Sequence, residues 1–89
     1  MSSPDKKKFK PLARYRVTLY NDEYHSYPQV ISLLCDTLKI ESDAAETICK
    51  EISEAGFKVI SVCHFELAET YMTRLSETGL QCTVEKVDD

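Results

Sequence analysis

The sequence predicts a two-layer α+β domain, in which a three-stranded sheet is covered on one face by three helices. Three observations predict this fold class. Two short segments alternate between apolar and polar residues, which is typical of strands with one buried face. Three longer segments carry apolar residues at helical spacing. The chain has 89 residues, of which 43% are hydrophobic, and this suits one small domain with a modest core.

The first strand and the first helix lie on either side of a polar turn. Residues 15–20 alternate between apolar and polar side chains, and residues 21–23, Asn-Asp-Glu, favour a turn. Helical spacing follows, with Ser26 suited to the N-cap position and Pro28 to the first turn. The pattern therefore predicts a strand, a turn and an amphipathic helix over residues 27–39.

A second helix follows a short break at residues 40–42. Asp43, with Glu46 three residues later, resembles a capping box in which Asp replaces Ser or Thr. Gly56 is well placed to end the helix in a left-handed conformation. The pattern therefore predicts a second helix that begins near Asp43 and ends at Gly56.

The C-terminal third predicts a strand, a helix and a strand. Residues 57–65 are rich in β-forming side chains, residues 66–78 return to helical spacing before Gly79, and residues 80–85 alternate again. A strand-helix-strand unit needs a right-handed crossover between two parallel strands. The predicted order is β-α-α-β-α-β, with the first strand between the other two and antiparallel to both.

Charge and length exclude several classes of protein. Eleven Lys and Arg residues against fifteen Asp and Glu residues give a net charge of −4, which disfavours a nucleic-acid partner because phosphates attract a basic face. The apolar runs fall far short of the roughly 20 residues that cross a bilayer, so no membrane segment is predicted. Residues 1–10 are polar and basic, and we expect no secretory signal there. Residues 1–13 are predicted to be a flexible N-terminal extension, and residues 14–87 the folded core.

The four cysteines predict buried structural thiols. Cys35, Cys49, Cys63 and Cys82 are 14, 14 and 19 residues apart, whereas zinc fingers and ribbons need closely spaced pairs. Thiols also stay reduced in the cytosol, which is the compartment expected without an export signal. We therefore predict neither a metal site nor a disulfide.

The residues offer little for catalysis. Only two glycines are present, so a Gly-rich phosphate loop is excluded. His25 and His64 lie 39 residues apart, and no Cys-His or Ser-His spacing matches a nucleophile motif. The sequence predicts a binding module that has no catalytic residues and no cofactor.

Residues 19–27 are the most informative stretch for function. They place polar acceptors between the end of a strand and the start of a helix, where a rigid scaffold often meets a ligand. Two interpretations stay open on the residues alone. Asn21 and Asp22 either shape a turn while Tyr24 and Tyr27 cover the edge of the core, or they bind a ligand.

Three segments carry a family resemblance. Residues 15–24, Tyr-Arg-Val-Thr-Leu-Tyr-Asn-Asp-Glu-Tyr, resemble the start of the ClpS adaptor family, in which a strand runs into Asn-Asp-Asp/Glu-Tyr. Residues 66–70, Glu-Leu-Ala-Glu-Thr, are similar to that family's E-V-A-E-T segment. Residues 80–85, Leu-Gln-Cys-Thr-Val-Glu, resemble its final L-L-C-T-L-E strand. The resemblance spans about residues 14–86, in the same order of elements.

The resemblance implies an N-degron adaptor. Such proteins bind substrates that begin with a large hydrophobic residue and pass them to a Clp-type AAA+ unfoldase, on whose N-terminal domain the folded core docks. A free α-amino group is mostly charged at neutral pH and needs acceptors when it leaves water. The residues that the resemblance implies for binding the amine are Asn21, Asp22, His25 and Ser53. It assigns the apolar pocket for the first side chain to Tyr27, Val30, Cys49, Ile52 and Leu80.

Three of these positions depart from the family pattern. His25 stands where the family usually has Thr, Tyr27 where a gating Met often lies, and Ser53 where a His contacts the amine. A hydroxyl at Ser53 reaches less far than an imidazole. His25 can compensate only as a neutral ring, because a protonated ring repels an ammonium.

Two alternatives remain on the sequence alone. The first is a ClpS-like protein that docks on the unfoldase and modulates it without binding N-degrons. The second is a translation-factor contact module like the C-terminal domain of the ribosomal stalk protein, whose Gly- and Lys-rich helical region has no counterpart in residues 39–56. A bacterial cytoplasm or an organelle stroma is the expected location under the ClpS interpretation.

Overall fold

A computed structural model describes residues 13–87 of the protein, and its six elements follow in the predicted order. They are β1 (Arg14–Tyr20), α1 (Tyr27–Leu38), α2 (Ser42–Ala55), β2 (Phe57–His64), α3 (Phe65–Glu77) and β3 (Cys82–Lys86). Residues 1–12, and with them nearly all of the predicted N-terminal extension, lie outside the described residues, so the extension stays a prediction.

The central strand of the sheet is β1. The strand order is β2-β1-β3, and β1 pairs antiparallel with both neighbours. β2 and β3 therefore run parallel to each other, with α3 connecting them. This confirms the predicted fold class and sheet order.

A β-bulge interrupts the pairing of β1 with β2. Val17 lies opposite Ser61, but Thr18 lies opposite Val59, so Ile60 is an extra residue on β2. Such a bulge bends the strand and increases its twist. Ile60 is partly buried against the core, and strand periodicity alone does not reveal the shift.

The two faces of the sheet differ in character. On the helix-covered face, Leu19 packs in one buried cluster with Leu34 of α1, Ile52 of α2 and Leu75 of α3. On the other face, the Arg16 guanidinium donates to Glu85 at 2.9 Å. One face is therefore the core, and the opposite face meets solvent.

The first helix begins with a complete capping box. The Ser26 hydroxyl accepts from the Gln29 backbone N–H, and the Gln29 side chain accepts from the Ser26 backbone N–H. Pro28 lies in the first turn, where its missing N–H costs no hydrogen bond. The helix ends at Leu38, one residue earlier than predicted, and its C-cap residue Lys39 has a left-handed conformation. The predicted N-cap at Ser26 is confirmed.

The capping box predicted at Asp43 and Glu46 is wrong. α2 begins at Ser42, and its N-cap residue is Glu41, whose side chain makes no capping hydrogen bond. Asp43 therefore lies inside the first turn, where its charge is favoured by the helix dipole. The C-terminal end is as predicted, because Gly56 has φ of 91° and its N–H donates to the Ile52 carbonyl.

The last two elements are displaced slightly from their predicted bounds. α3 begins and ends one residue earlier than residues 66–78, and β3 begins two residues later than predicted. Leu80 therefore lies in the turn before β3, where it is 3% exposed. Among the described residues, no helix is long and apolar enough to span a bilayer.

Candidate functional site

A hollow opens where the C-terminal end of β1 meets α1 and α2. The free space inside it is small, about 30 Å³, and the hollow is open to solvent on one side. Ten residues line it: Leu19, Tyr20, Asn21, Asp22, His25, Tyr27, Val30, Cys49, Ile52 and Leu80. The hollow therefore joins the polar loop after β1 to the hydrophobic core.

The inner wall of the hollow belongs to the core itself. Leu19, Cys49, Ile52 and Leu80 are each at most 5% exposed. Burial raises the pKa of the Cys49 thiol, so the thiol is neutral near neutral pH. The wall therefore presents apolar atoms without a charge, which suits a hydrophobic side chain.

Tyr27, at the start of α1, lines the hollow. Its hydroxyl donates to the Cys49 carbonyl on α2 at 3.3 Å, and the residue is 45% exposed. The phenol therefore ties α1 to α2 beside the hollow that both residues line.

The polar loop of residues 21–25 is anchored to the ends of two helices. The Asn21 N–H donates to the Gly56 carbonyl, the C-cap of α2, at 2.8 Å. His25 Nε2 lies 2.8 Å from the carbonyl oxygen of Thr78, the C-cap of α3. Helix C-termini carry partial negative charge, and this favours cations near them. The mouth of the hollow is therefore suited to a positively charged group.

Asp22 is held inside this loop by three hydrogen bonds. Its Oδ1 accepts from the backbone N–H of Tyr24 and from that of His25, the latter at 3.1 Å. Its Oδ2 lies 2.7 Å from His25 Nδ1. The Tyr24 N–H above all, with His25, holds the pKa of the Asp22 carboxyl below its usual value, against the opposing effect of burial. The carboxylate stays ionised at neutral pH, and its side chain is only 10% exposed.

The pKa of His25 is shifted in the direction that favours its charged form. The hydrogen bond to Asp22, and then the one to the Thr78 carbonyl, raise the pKa of the imidazole above its usual value. The 21–25 loop thus contains a compensated pair, Asp22 and His25, beside the exposed carboxylate of Glu23. With the imidazole protonated, the loop as a whole carries one net negative charge.

The comparisons with known proteins agree on one family. The sequence model described as "ATP-dependent Clp protease adaptor protein ClpS" matches residues 10–83. The chain belongs to the ClpS family. The predicted family is thereby confirmed, and membership decides against the alternative of a ribosomal-stalk-like module.

Named relatives of this ClpS-family chain come from bacteria and from a chloroplast. It is 35% identical over 77 residues to the ClpS adapter of Gloeobacter violaceus, covering 85% of this chain and 83% of the relative. It is 33% identical to the chloroplastic CLPS1 adapter of Chlamydomonas reinhardtii, covering 80% of this chain and 44% of the relative.

A solved structure shares the fold. Agrobacterium tumefaciens ClpS2, which was solved bound to L-phenylalaninamide, matches with a TM-score of 0.76 and 25% identity. The match covers 86% of this chain and all of that chain.

The structure brings together eight of the nine residues that the ClpS resemblance assigned to a site. Ser53 is the exception, because its side chain is exposed on α2 and it is not among the ten lining residues. Its neighbour Ile52 faces the hollow, and successive helical residues point about 100° apart. Ser53 therefore stays a prediction without geometric support.

Leu19 and Tyr20 line the hollow although the sequence did not assign them to the site. They are the last two residues of β1 and directly precede Asn21. Their position before the polar loop was a usable signal, because the end of a central strand often forms the floor of a site.

No metal chemistry is indicated in this part of the chain. Within residues 13–87, no group of three or more His, Cys, Asp and Glu side chains is placed to hold a metal ion. All four cysteines are free thiols. What the hollow provides is a set of oxygen acceptors at its mouth and apolar atoms inside.

Proposed function

We propose that this ClpS-family protein is an N-degron adaptor. It binds substrates that carry a free N-terminal amine on a large hydrophobic first residue, and it delivers them to a Clp-type AAA+ unfoldase. One observation carries the proposal: acceptors of the 21–25 loop lie at the mouth of a hollow whose wall is apolar. L-phenylalaninamide, the ligand of the related ClpS2, combines a free amine with a large apolar side chain.

Asn21 and Asp22 would bind the amine. An ammonium has three N–H donors and loses hydration when it enters a pocket, so it needs oxygen acceptors there. Asn21 is exposed at the mouth, and its amide oxygen is one acceptor. Asp22 Oδ2 is the second, since Oδ1 already accepts two backbone N–H groups. An internal peptide bond carries no charge to match these acceptors, and this makes the site specific for a chain's beginning.

The apolar wall would bind the first side chain. Covering a Phe or Leu side chain with Ile52, Leu80 and their neighbours removes roughly 100 Å² of apolar surface from water, which contributes about 2–3 kcal/mol. Together with the charged hydrogen bonds, this suits a dissociation constant in the micromolar range, or about −8 kcal/mol. The adaptor then acts by tethering the substrate, which raises its concentration at the unfoldase.

The partner and the setting complete the proposal. The folded core would dock on the N-terminal domain of the unfoldase, and residues 1–13 would extend from it as a flexible arm. We place the protein in a bacterial cytoplasm or an organelle stroma, in keeping with its bacterial and chloroplast relatives. It would act without catalysis, nucleic acid or membrane.

Calorimetry with matched peptides tests the proposal. A peptide that begins with Phe and has a free amine should bind at micromolar concentration. The same peptide with an acetylated N-terminus should lose at least tenfold in affinity, because acetylation removes the charge and two donors. Equal binding of the two peptides would contradict amine recognition.

A second candidate function is favoured by the Tyr27 hydroxyl, whose contact with the Cys49 carbonyl ties α1 to α2 beside the hollow. In this alternative the protein docks on the unfoldase and modulates it without binding N-degrons. Binding of the isolated unfoldase N-terminal domain without any binding of the free-amine peptide would favour it over the first.

A further inference from the structure

His25 bridges two groups that only accept hydrogen bonds. Its Nδ1 lies 2.7 Å from Asp22 Oδ2, and its Nε2 lies 2.8 Å from the Thr78 carbonyl oxygen. A neutral imidazole has one N–H, so it can donate to only one of the two. Asp22 cannot supply the missing proton, because two backbone N–H groups stabilise its ionised form. The two hydrogen bonds therefore form together only when the ring is doubly protonated.

This arrangement leaves His25 no free nitrogen with which to accept a hydrogen bond from an ammonium. We propose that His25 is a positioning residue, whose charged ring ties Asp22 to the C-terminal end of α3 and so holds the 21–25 loop ready for the amine. The proposal rests on the proposed function, and it replaces the direct amine contact that the family resemblance assigned to His25.

The surroundings of the ring favour the charged form. Asp22 is the ionised side chain in contact with it, and Glu23 precedes it by two residues with an exposed carboxylate. The other titratable side chains that line the hollow are Tyr20 of β1, Tyr27 of α1 and Cys49 of α2, and none of them is basic. From the α3 side the ring meets the Thr78 carbonyl and lies close to Gly79, where a Cβ would be 3.4 Å from its Cε1. No cation among the residues lining the hollow opposes the charge.

Loss of the ring proton would break the bridge. A neutral ring keeps its remaining proton on Nδ1, because the Asp22 carboxylate is a stronger acceptor than a backbone carbonyl. The lone pair of Nε2 then faces the Thr78 carbonyl oxygen, and the tie from Asp22 to the end of α3 is lost. The pKa of His25 is raised in the folded protein. The bridge is therefore complete below the ordinary value of about 6.5, and it is lost as the pH rises through the higher folded value.

Two effects of the ring charge on peptide binding have opposite signs. The charge repels an incoming ammonium, but it also holds Asp22 in place. The repulsion is reduced because Asp22 compensates the charge at hydrogen-bond distance, and both groups lie at a loop that water reaches. We therefore expect positioning to dominate, so that the charged ring favours peptide binding.

NMR titration of the unmodified protein measures this coupling without any variant. Imidazole resonances of His25 are followed against pH, with and without a saturating Phe-initial peptide that has a free amine. If the charged ring favours binding about tenfold, linkage requires the peptide to raise the pKa of His25 by about one unit. A pKa that falls on binding would show that repulsion dominates, and one that stays unchanged would show that the two groups are not coupled. Either result overturns the proposal.

Variants supply an independent readout. His25→Gln keeps an amide donor but cannot titrate, and His64→Gln removes the chain's other histidine, which lies exposed at the start of α3. The peptide should bind His25→Gln roughly tenfold more weakly than the unmodified protein at pH 6, and about equally at pH 8.5. Titration of the peptide's own amine affects both proteins equally, so it cancels in the ratio of the two affinities at each pH. For His64→Gln, the ratio of its affinity to that of the unmodified protein should be near one at both pH values. A His25→Gln ratio that is independent of pH would contradict the proposal.

The outcomes also separate this proposal from the proposed function. If the free-amine peptide fails to bind the unmodified protein at every pH, the N-degron adaptor function is wrong. If the peptide binds but the pKa of His25 does not rise, only the positioning role is wrong.

Discussion

The wall and the mouth of the hollow are built by different forces. The wall consists of residues such as Ile52 and Leu80, which are at most 5% exposed and belong to the main core. The mouth is the 21–25 loop, which is held by hydrogen bonds to the ends of α2 and α3. The wall therefore contributes to both stability and binding, whereas substitutions at the mouth should change peptide affinity with little effect on the free energy of unfolding.

The largest expected effect comes from the wall. Leu80→Ala should lower the free energy of unfolding by about 3 kcal/mol, since it removes buried methyl groups from a packed core. It should also weaken binding of a Phe-initial peptide roughly tenfold, because the first side chain loses apolar contact. Chemical denaturation and calorimetry measure the two quantities.

Leu34→Ala is the matched control for this variant. Leu34 is fully buried in the same cluster but does not line the hollow. It should destabilise the protein by a similar amount and leave peptide affinity unchanged below the unfolding transition. Equal losses of affinity in the two variants would mean that binding follows overall stability and not the wall.

The next effect comes from the mouth. Asp22→Asn replaces an ionised acceptor with a neutral amide, so the free-amine peptide should bind about tenfold more weakly. Calorimetry measures the peptide affinity. The control is Asp36→Asn, which makes the same change at an exposed aspartate on α1 outside the hollow. Unchanged affinity in Asp22→Asn would remove Asp22 from the amine site.

A smaller effect is expected from Tyr27→Phe. This variant keeps the ring but removes the hydroxyl that donates to the Cys49 carbonyl. A net hydrogen bond of this kind contributes about 1 kcal/mol at most in a partly exposed setting. Opening the hollow should therefore become easier, and Phe-initial peptides should bind up to about fivefold more tightly. Weaker binding would show instead that the hydroxyl contacts the ligand.

The smallest effect is expected from Ser53→Ala. The side chain is exposed on α2 and lies outside the hollow, so peptide affinity should change by less than about twofold, within the range of ordinary surface substitutions. A larger loss in a peptide-binding assay would restore the amine contact that the family resemblance assigned to this position.

The contrast between wall and mouth also explains what the sequence could predict. Alternation in residues 15–20 and helical spacing after Pro28 depend on near neighbours in the chain, and they predicted the elements and their order. The N-cap of α2 was predicted at Asp43 and lies at Glu41, and a shift of two residues is beyond the resolution of such patterns. The bulge at Ile60 likewise arises from pairing across the sheet.

The site was predictable where residue type alone identifies its role. Asn21 and Asp22 are acceptors after a strand, and their place at the mouth follows from that. The bridge from His25 to Thr78 joins residues 53 positions apart, so no local pattern contains it. Ser53 was assigned by its place in the family pattern, but the rotation of α2 turns Ile52 to the hollow and Ser53 to solvent.

A crystal structure of this protein with L-phenylalaninamide would locate both the amine and the ring of the ligand. We expect the amine nitrogen to lie about 2.7–3.2 Å from Asn21 Oδ1 and from Asp22 Oδ2, within ordinary hydrogen-bond range. Its ring should lie against Ile52 and Leu80. A ligand bound elsewhere, or one whose amine points into solvent with its ring outside the hollow, would show that the hollow is not the binding site for an N-terminal residue.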